Sequence, residues 1–515
     1  MEILTVKDLS FTYKNAGAPA LSDVSFSVSE GEFVTLCGPT GCGKSTLLRL
    51  IKKELTPGGE LSGELLYKGE PVKGLPGRIS AEQIGCVVQR PEEQIVCDRV
   101  SGELFFGAES LGYPRDKAYR RAAEVSSFFG FNDVFDKKTP ELSGGQKQLL
   151  VLASVLVTSP SLILLDEPTS RLDPVAAADF ISMLARINRQ LGTTVIIAEH
   201  NTSLLLEHTD KLIFLEDGRI TACGTPRGVL ETKPSHKVLS DMPAPVRMFF
   251  ESGKTGECPL TVKEGRKIFD GTTAAQYRNT SFGEKEVLSL KNVYFRHKRD
   301  GKDVLKGLDM TVYEGEVRFV FGGNGCGKTT LLRCAAGLAK HYSGDVRVFD
   351  KKISAYKNGE LYENKVSMLY QDATCVFTHE TVGGEFKGVD ISCLPYDISG
   401  LLDRHPYDVS GGELQMAALC RVLSTGPRLV FLDEPTKAMD AAAKRIFVNT
   451  VLKLKENGVS FVISCHDTEL AAECADTCSM MFDGKLICTC KTEDFLRENR
   501  FYTTDKCRMT GGKLI

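Results

Sequence analysis

Gly38-Pro39-Thr40-Gly41-Cys42-Gly43-Lys44-Ser45, and again Gly322-Gly323-Asn324-Gly325-Cys326-Gly327-Lys328-Thr329, decide how this chain reads. In each, two glycines enclose four free positions and are followed by Lys and then Ser or Thr, the Walker A pattern of a phosphate-binding loop. Such a loop can turn successive backbone N–H groups inward, making a nest for phosphate oxygens at a helix N-terminus. Lys44 and Lys328 then reach the β- and γ-phosphates of a nucleoside triphosphate, and Ser45 and Thr329 ligate magnesium. Each loop follows a short apolar run, Phe33-Val34-Thr35-Leu36 or Phe319-Val320-Phe321, and precedes Leu-Leu-Arg at a helix start. That is the strand, loop, helix context the chemistry requires.

The repetition extends beyond the loops. Leu142-Ser143-Gly144-Gly145-Gln146 in the first half is matched by Val409-Ser410-Gly411-Gly412-Glu413 in the second. Twenty residues further, an apolar run ends in Asp-Glu-Pro-Thr, giving Asp166-Glu167 and Asp433-Glu434. Asp173 and Asp440 follow, then His200 and His466, each after a β-branched strand. Equivalents lie 284 residues apart at the lysines, 282 at Gln89 and Gln371, 267 from the signature serines through Asp173, and 266 at the histidines. Two copies of one domain therefore run in the same order. The large slip is between glutamine and signature, 54 residues in the first copy and 39 in the second, which predicts the loss of about one helix there.

Composition bounds the rest. A chain of 515 residues with 42% hydrophobic content suits two to four packed domains. No run of eighteen apolar residues appears, so no membrane span is expected. The start, Met1-Glu2-Ile3-Leu4-Thr5, reads as a first strand rather than a leader, and a cytoplasmic location is expected. The 17 cysteines are odd in number and contain no Cys-x-x-Cys pair, which fits free thiols in a reducing compartment. A net charge of −3 with acids and bases intermixed gives no footprint for nucleic acid.

In this ordered set, Walker A, Gln, Ser-Gly-Gly, Walker B, Asp and His, the chain resembles two ATP-binding-cassette ATPase domains fused head to tail. The resemblance implies an α/β fold of two P-loop NTPase domains, each with a RecA-like core, an antiparallel β subdomain and a helical signature subdomain, forming an intramolecular head-to-tail pseudo-dimer. It places the first domain at 1–235, a linker rich in Gly, Pro, Thr and Lys at 236–284, and the second domain, with a shortened helical subdomain, at 285–515. ATP and Mg2+ are the implied cofactors. Both loops, extended by Thr46 and Thr330, would contact nucleotide. Asp166 and Asp433, with Ser45, Thr329, Gln89 and Gln371, would hold magnesium. Glu167 and Glu434 would orient or deprotonate the attacking water, and His200 and His466 would contact the γ-phosphate. Gly144, Gly145 and Gln146 with Ser143, and Gly411, Gly412 and Glu413 with Ser410, would form signatures that in this family cap the nucleotide held by the other domain. Asp173 and Asp440 complete the set.

The sequence also departs from the family's pattern. Leu149 and Met416 stand where an Arg usually follows the signature. Tyr13 occupies the position of an adenine-stacking ring, but its counterpart is His297, with Phe295 near enough to substitute. Two competent but unequal ATPase sites are therefore expected.

The run Gln89-Arg90-Pro91-Glu92-Glu93-Gln94, then Val100 and Glu103-Leu104-Phe105-Phe106-Gly107, is similar to the segment of energy-coupling-factor importer ATPases that shapes a groove for a membrane scaffold. The second copy keeps Gln371, Thr381-Val382 and Gly384-Glu385. This resemblance implies uptake of a vitamin, vitamin precursor or metal ion, integral membrane scaffold and substrate-binding subunits as partners, and a peripheral place on the cytoplasmic face of the membrane. A monosaccharide-type fused importer ATPase is the neighbouring alternative. A twin-cassette translation factor is the alternative from another class, opposed by a linker that Pro243, Pro245, Gly253, Gly256 and Pro259 break too often for a long helix.

Overall fold

Apolar runs of four or five residues between glycine-rich turns become central strands here, and helices cover both of their faces. The computed structural model describes residues 1–14, 16–170, 172–199, 202–231, 238–239, 242–271, 281–357, 359–437 and 439–513. It divides into two units, Met1–Thr261 and Val262–Ile515.

In the first unit a six-stranded sheet runs Arg219–Gly224, Lys211–Glu216, Phe33–Cys37, Thr194–Ala198, Leu162–Asp166, Ile84–Val87, all parallel except the first. Phe33–Cys37 and Thr194–Ala198 are buried at every residue. Strands covered on both faces read as continuous apolar runs rather than alternating ones. The Lys44–Ile51 helix seats Leu47, Leu48, Leu50 and Ile51 in a core shared with a four-stranded antiparallel sheet ordered Leu21–Ser29, Glu2–Tyr13, Gly59–Tyr67, Glu70–Pro71. On the opposite face the helices Gly144–Leu156 and Pro174–Leu191 contribute Leu150, Leu152, Phe180 and Leu184 to a second core. Truncating Leu164, fully buried in mid-sheet, to Ala would cost about 2–5 kcal/mol. Because the strands are parallel, Cys37, Asp166 and Ala198 all end at one sheet edge, where such folds bind ligands.

The second unit repeats both sheets, with the six-stranded one ordered Val366–Leu369, Leu429–Asp433, Ser460–Ser464, Val317–Phe321, Thr477–Phe482, Lys485–Lys491.

Two expectations need correction. Between glutamine and signature the first unit has helices at Pro91–Gln94, Val100–Ser110 and Arg115–Phe129. The second has only short 3-10 turns among its described residues there. More than one helix is gone, because Gly383, Gly384, Gly388, Pro395, Gly400 and Pro406 punctuate the segment. Asp390 caps its own turn by accepting from Ser392 N, and Asp397 accepts from Ser399 N, offering the backbone an alternative to helix. The 236–284 segment, parts of which lie outside the described residues, is also more than a linker. Its Ala244–Glu251 helix sends Val246 into a first-unit core with Leu212 and Phe214. Its Val262–Phe269 helix belongs to the second unit, where Arg266 donates to Arg508 O at 3.2 and 3.0 Å. The division falls at Thr261, inside the expected linker.

Candidate nucleotide sites

Each phosphate loop leaves the end of its central strand through a glycine that no other residue could replace. Gly38 has φ 141°, and a Cβ there would lie 2.0 Å from Leu215 O; at Gly322, φ 155°, it would lie 2.4 Å from Met481 O. The helices that follow, Lys44–Ile51 and Lys328–Ala335, have no side-chain cap and no acid in their first turn. Their leading N–H groups are thus presented to an acceptor, and the positive end of each helix favours an anion.

The lysines fold back onto these loops. Lys44 Nζ donates to Gly38 O at 2.6 Å and Pro39 O at 3.1 Å, and Lys328 Nζ to Gly322 O at 2.7 Å and Gly323 O at 3.3 Å. Both ammonium groups are buried against neutral carbonyls, so phosphate oxygens would be stronger partners.

A hydroxyl and a carboxylate meet beside each lysine. Ser45 Oγ donates to Asp166 Oδ1 at 2.8 Å, and Thr329 Oγ1 to Asp433 Oδ2 at 2.7 Å. Ser464 Oγ donates to the other oxygen of Asp433 at 2.5 Å, where the first unit has Ala198. These pairs offer hard oxygen ligands of the kind Mg2+ takes alongside phosphates, so they fit the implied metal. Burial, reinforced by the charge of Glu167, pushes the Asp166 carboxyl above its usual range, and a bound cation would restore its charge. A magnesium ion held by Ser45 and Asp166, or by Thr329 and Asp433, would supply positive charge beside the phosphates.

Glu167 and Glu434 sit one residue beyond the strands with left-handed backbones, φ 45° and 52°. Their N–H groups are held by Ala198 O and Ser464 O, each at 2.9 Å. Gln89 Nε2 donates to Glu167 Oε2 at 2.8 Å. In the second unit Gln371 is exposed and no hydrogen bond joins it to Glu434. There His466 Nε2 lies 3.3 Å from Glu434 Oε1 and 3.3 Å from Lys328 Nζ. Burial, outweighing the nearby Lys328 and Lys437 charges, pushes Glu434 up to about 7. A carboxylate so tuned can take a proton near neutrality. His200 lies outside the described residues.

Ser143 and Ser410 are N-caps with full capping boxes: Gln146 N and Glu413 N donate to the serine hydroxyls at 3.3 and 3.4 Å. Ser410 additionally donates its own proton to Glu413 Oε2 at 2.5 Å, a bond Gln146 does not duplicate. Asp173 and Asp440 cap the helices after them, accepting from Ala176 N and Ala443 N, each at 2.8 Å. Tyr13 stands edge-on to Phe11 with its hydroxyl 2.9 Å from Thr46 Oγ1; His297 stands edge-on to Phe295 in the same way.

Sequence reading missed what holds the segment after the glutamine. Gln94 Oε1 accepts from Val88 N at 3.0 Å and its Nε2 donates to Cys86 O at 2.7 Å, bracing the backbone that carries Gln89. Glu103 accepts from Val96 N and Cys97 N at 2.9 Å, and its counterpart Glu385 from His379 N at 2.7 Å. The shared spacing of 282 residues, equal to that of Gln89 and Gln371, was the available signal.

Among known proteins, the family model described as ABC transporter matches residues 21–170 and again 305–437. An ABC transporter ATP-binding protein of Bacillus thuringiensis subsp. konkukian is 37% identical over 97% of this chain and 94% of its own length. Similarly described proteins of Streptomyces coelicolor and Methanosarcina acetivorans are 32% and 30% identical, over 94% and 93% of this chain and 93% and 84% of theirs. Among solved structures, CbiO1 from Clostridium perfringens, described as part of the ABC transporter complex CbiONQ, is 31% identical over 46% of this chain and 93% of its own, with a TM-score of 0.42.

Proposed function

The chain belongs to the ABC transporter family of ATP-hydrolysing proteins, and we propose that it is the energy-coupling subunit of an importer of the energy-coupling-factor type. In this reading it drives uptake of a vitamin, vitamin precursor or metal ion through separate membrane subunits, working from the cytoplasmic face. Among the described residues no helix is long and apolar enough to span a membrane, so in this reading the crossing is left to those subunits.

The observation that carries the reading is the segment after Gln89. Gln94 braces Val88 and Cys86, Glu103 gathers the N–H groups of Val96 and Cys97, and the loop between exposes Val96. A contact pressed on this loop can therefore reach Gln89 and, through it, Glu167. In this proposal Glu167 and Glu434 are the bases, Lys44 and Lys328 hold phosphate, and Asp166 with Ser45 and Asp433 with Thr329 hold magnesium.

Affinity capture of the chain from detergent-extracted native membranes, with and without ATP, tests it. Recovery of a membrane scaffold with a small vitamin- or metal-binding subunit is expected. Recovery of ribosomal proteins with no membrane partner would overturn the reading.

A further inference from the structure

We propose that Glu199 is a positioning residue for hydrolysis in the first unit, acting through Thr169 on Glu167. The inference rests on the reading of Glu167 as the base. Glu199 is 3% exposed at the end of the Thr194–Ala198 strand, and its N–H is fixed to Leu36 O at 3.1 Å. Its Oε1 accepts from both Thr169 N at 2.8 Å and Thr169 Oγ1 at 2.7 Å. Thr169 is two residues beyond Glu167, in a turn closed by Ser170 Oγ donating to Glu167 O at 2.9 Å. The left-handed Glu167 is thus tied to the neighbouring strand on both sides, at its own N–H by Ala198 O and just beyond by the Glu199 carboxylate. A non-glycine residue at positive φ persists only when its surroundings hold it there; the strand-end carbonyl does so in both units, and the Glu199 carboxylate adds a second tie in the first.

The second unit lacks this clamp. Cys465 stands at the equivalent place, with its Sγ 3.7 Å from Thr436 Oγ1, a weak thiol contact in place of two short bonds to a carboxylate. Glu434 has His466 Nε2 at 3.3 Å from its Oε1; the corresponding His200 lies outside the described residues.

The test uses the full chain with the second unit silenced by Glu434→Gln, following single-turnover hydrolysis and the binding of a fluorescent ATP analogue. Glu199→Ala should lower the hydrolysis rate about tenfold, because small misplacements of a reacting group are costly, while analogue affinity changes less than about twofold. Glu199→Gln keeps an acceptor for Thr169 N and should recover most of the rate. Thr169→Val, which removes one of the two bonds, should fall between. Equal loss in Glu199→Gln and Glu199→Ala, or a loss of binding in step with rate, would overturn the proposal, as would an unchanged rate in all three. Glu167→Gln in the same background separates the two readings: if it leaves hydrolysis intact, the base assignment has failed; if it abolishes hydrolysis while Glu199→Ala does not slow it, only the clamp has failed.

Discussion

The two units present matching strand ends, Asp166-Glu167 and Asp433-Glu434, and surround the glutamate differently. In the first, Gln89 reaches Glu167 at 2.8 Å from a backbone braced by Gln94. In the second, Val376 occupies the place of Gln94, Gln371 is exposed, and Glu434 lies beside His466. The loss of helices after Gln371 accompanies the loss of that brace. A duplicated fold keeps its loop glycines because the backbone requires them, and here it also keeps the hydroxyl–carboxylate pairs beside them. It can change the side chains that report on the base, since those sit on the segment free to vary.

The most severe way to break this comparison is to remove each base in turn. Glu167→Gln and Glu434→Gln should each slow hydrolysis in their own unit by at least about 100-fold, the usual scale for a general base, and leave ATP binding intact. Trapped radiolabelled nucleotide after rapid gel filtration reads both. Full-speed turnover in Glu434→Gln together with abolished turnover in Glu167→Gln would mean one working site, and the comparison would lose its second member.

A sharper cut separates the supports. With the second unit silenced, Gln89→Ala should cost about tenfold in hydrolysis rate by removing the amide that donates to Glu167. With the first unit silenced, Gln371→Ala should cost less than about twofold, and His466→Ala should cost about tenfold or more. Equal losses from the two glutamines would show that Gln371 reaches Glu434 during turnover, and the units would then be supported alike.

How much of this was legible in the sequence follows from where each feature is encoded. Gly38, Lys44, Ser45, Asp166 and Glu167 could be read because loop, strand end and helix start impose short fixed spacings, and their order defined the fold in both copies. The bracing residues could not be read that way. Gln94 and Glu199 act on backbone groups six and thirty residues away in sequence. Nothing local marks a Glu before a His as a clamp rather than a surface acid. The second helical segment was misjudged because a residue deficit was read as one missing helix. Six glycines and prolines, with Asp372, Asp390 and Asp397 accepting from backbone N–H groups two residues on, in fact remove helix throughout it. The prolines and glycines of 236–284 argue against a long helix, and the helix found there, Ala244–Glu251, spans 8 residues with Pro243 and Pro245 at its start, a position proline suits.

The rings expected to stack on adenine offer a smaller contrast. Tyr13 and His297 stand at matching places beside Phe11 and Phe295. Loss of an aromatic stacking surface costs about 1–3 kcal/mol for a base, so Tyr13→Ala should weaken ATP binding in the first unit by roughly tenfold. His297→Tyr should tighten the second severalfold. Titration with a fluorescent ATP analogue in singly silenced chains measures both, and an unchanged affinity in Tyr13→Ala would remove the ring from the site.

The mildest contrast concerns the clasp on the segment after the glutamine, and it is visible through pH. Burial opposes ionisation of Glu385, yet bonds from His379 and Thr378 outweigh it and hold its carboxyl down to about 2, against an ordinary 4.5. A carboxylate with a depressed folded-state pKa contributes stability that is complete above the unfolded value and is lost as pH falls through the folded one. The clasp should therefore be at full strength above about pH 4.5 and fade between 4.5 and 2. Many carboxylates titrate in that range, so the difference between wild type and Glu385→Gln isolates the contribution. Denaturant unfolding should show the variant less stable at pH 7, with the gap closing as pH falls from 4.5 toward 2. A gap that stays constant across that window would assign the loss to side-chain shape rather than charge, and the clasp would then owe nothing to the ionised form of Glu385.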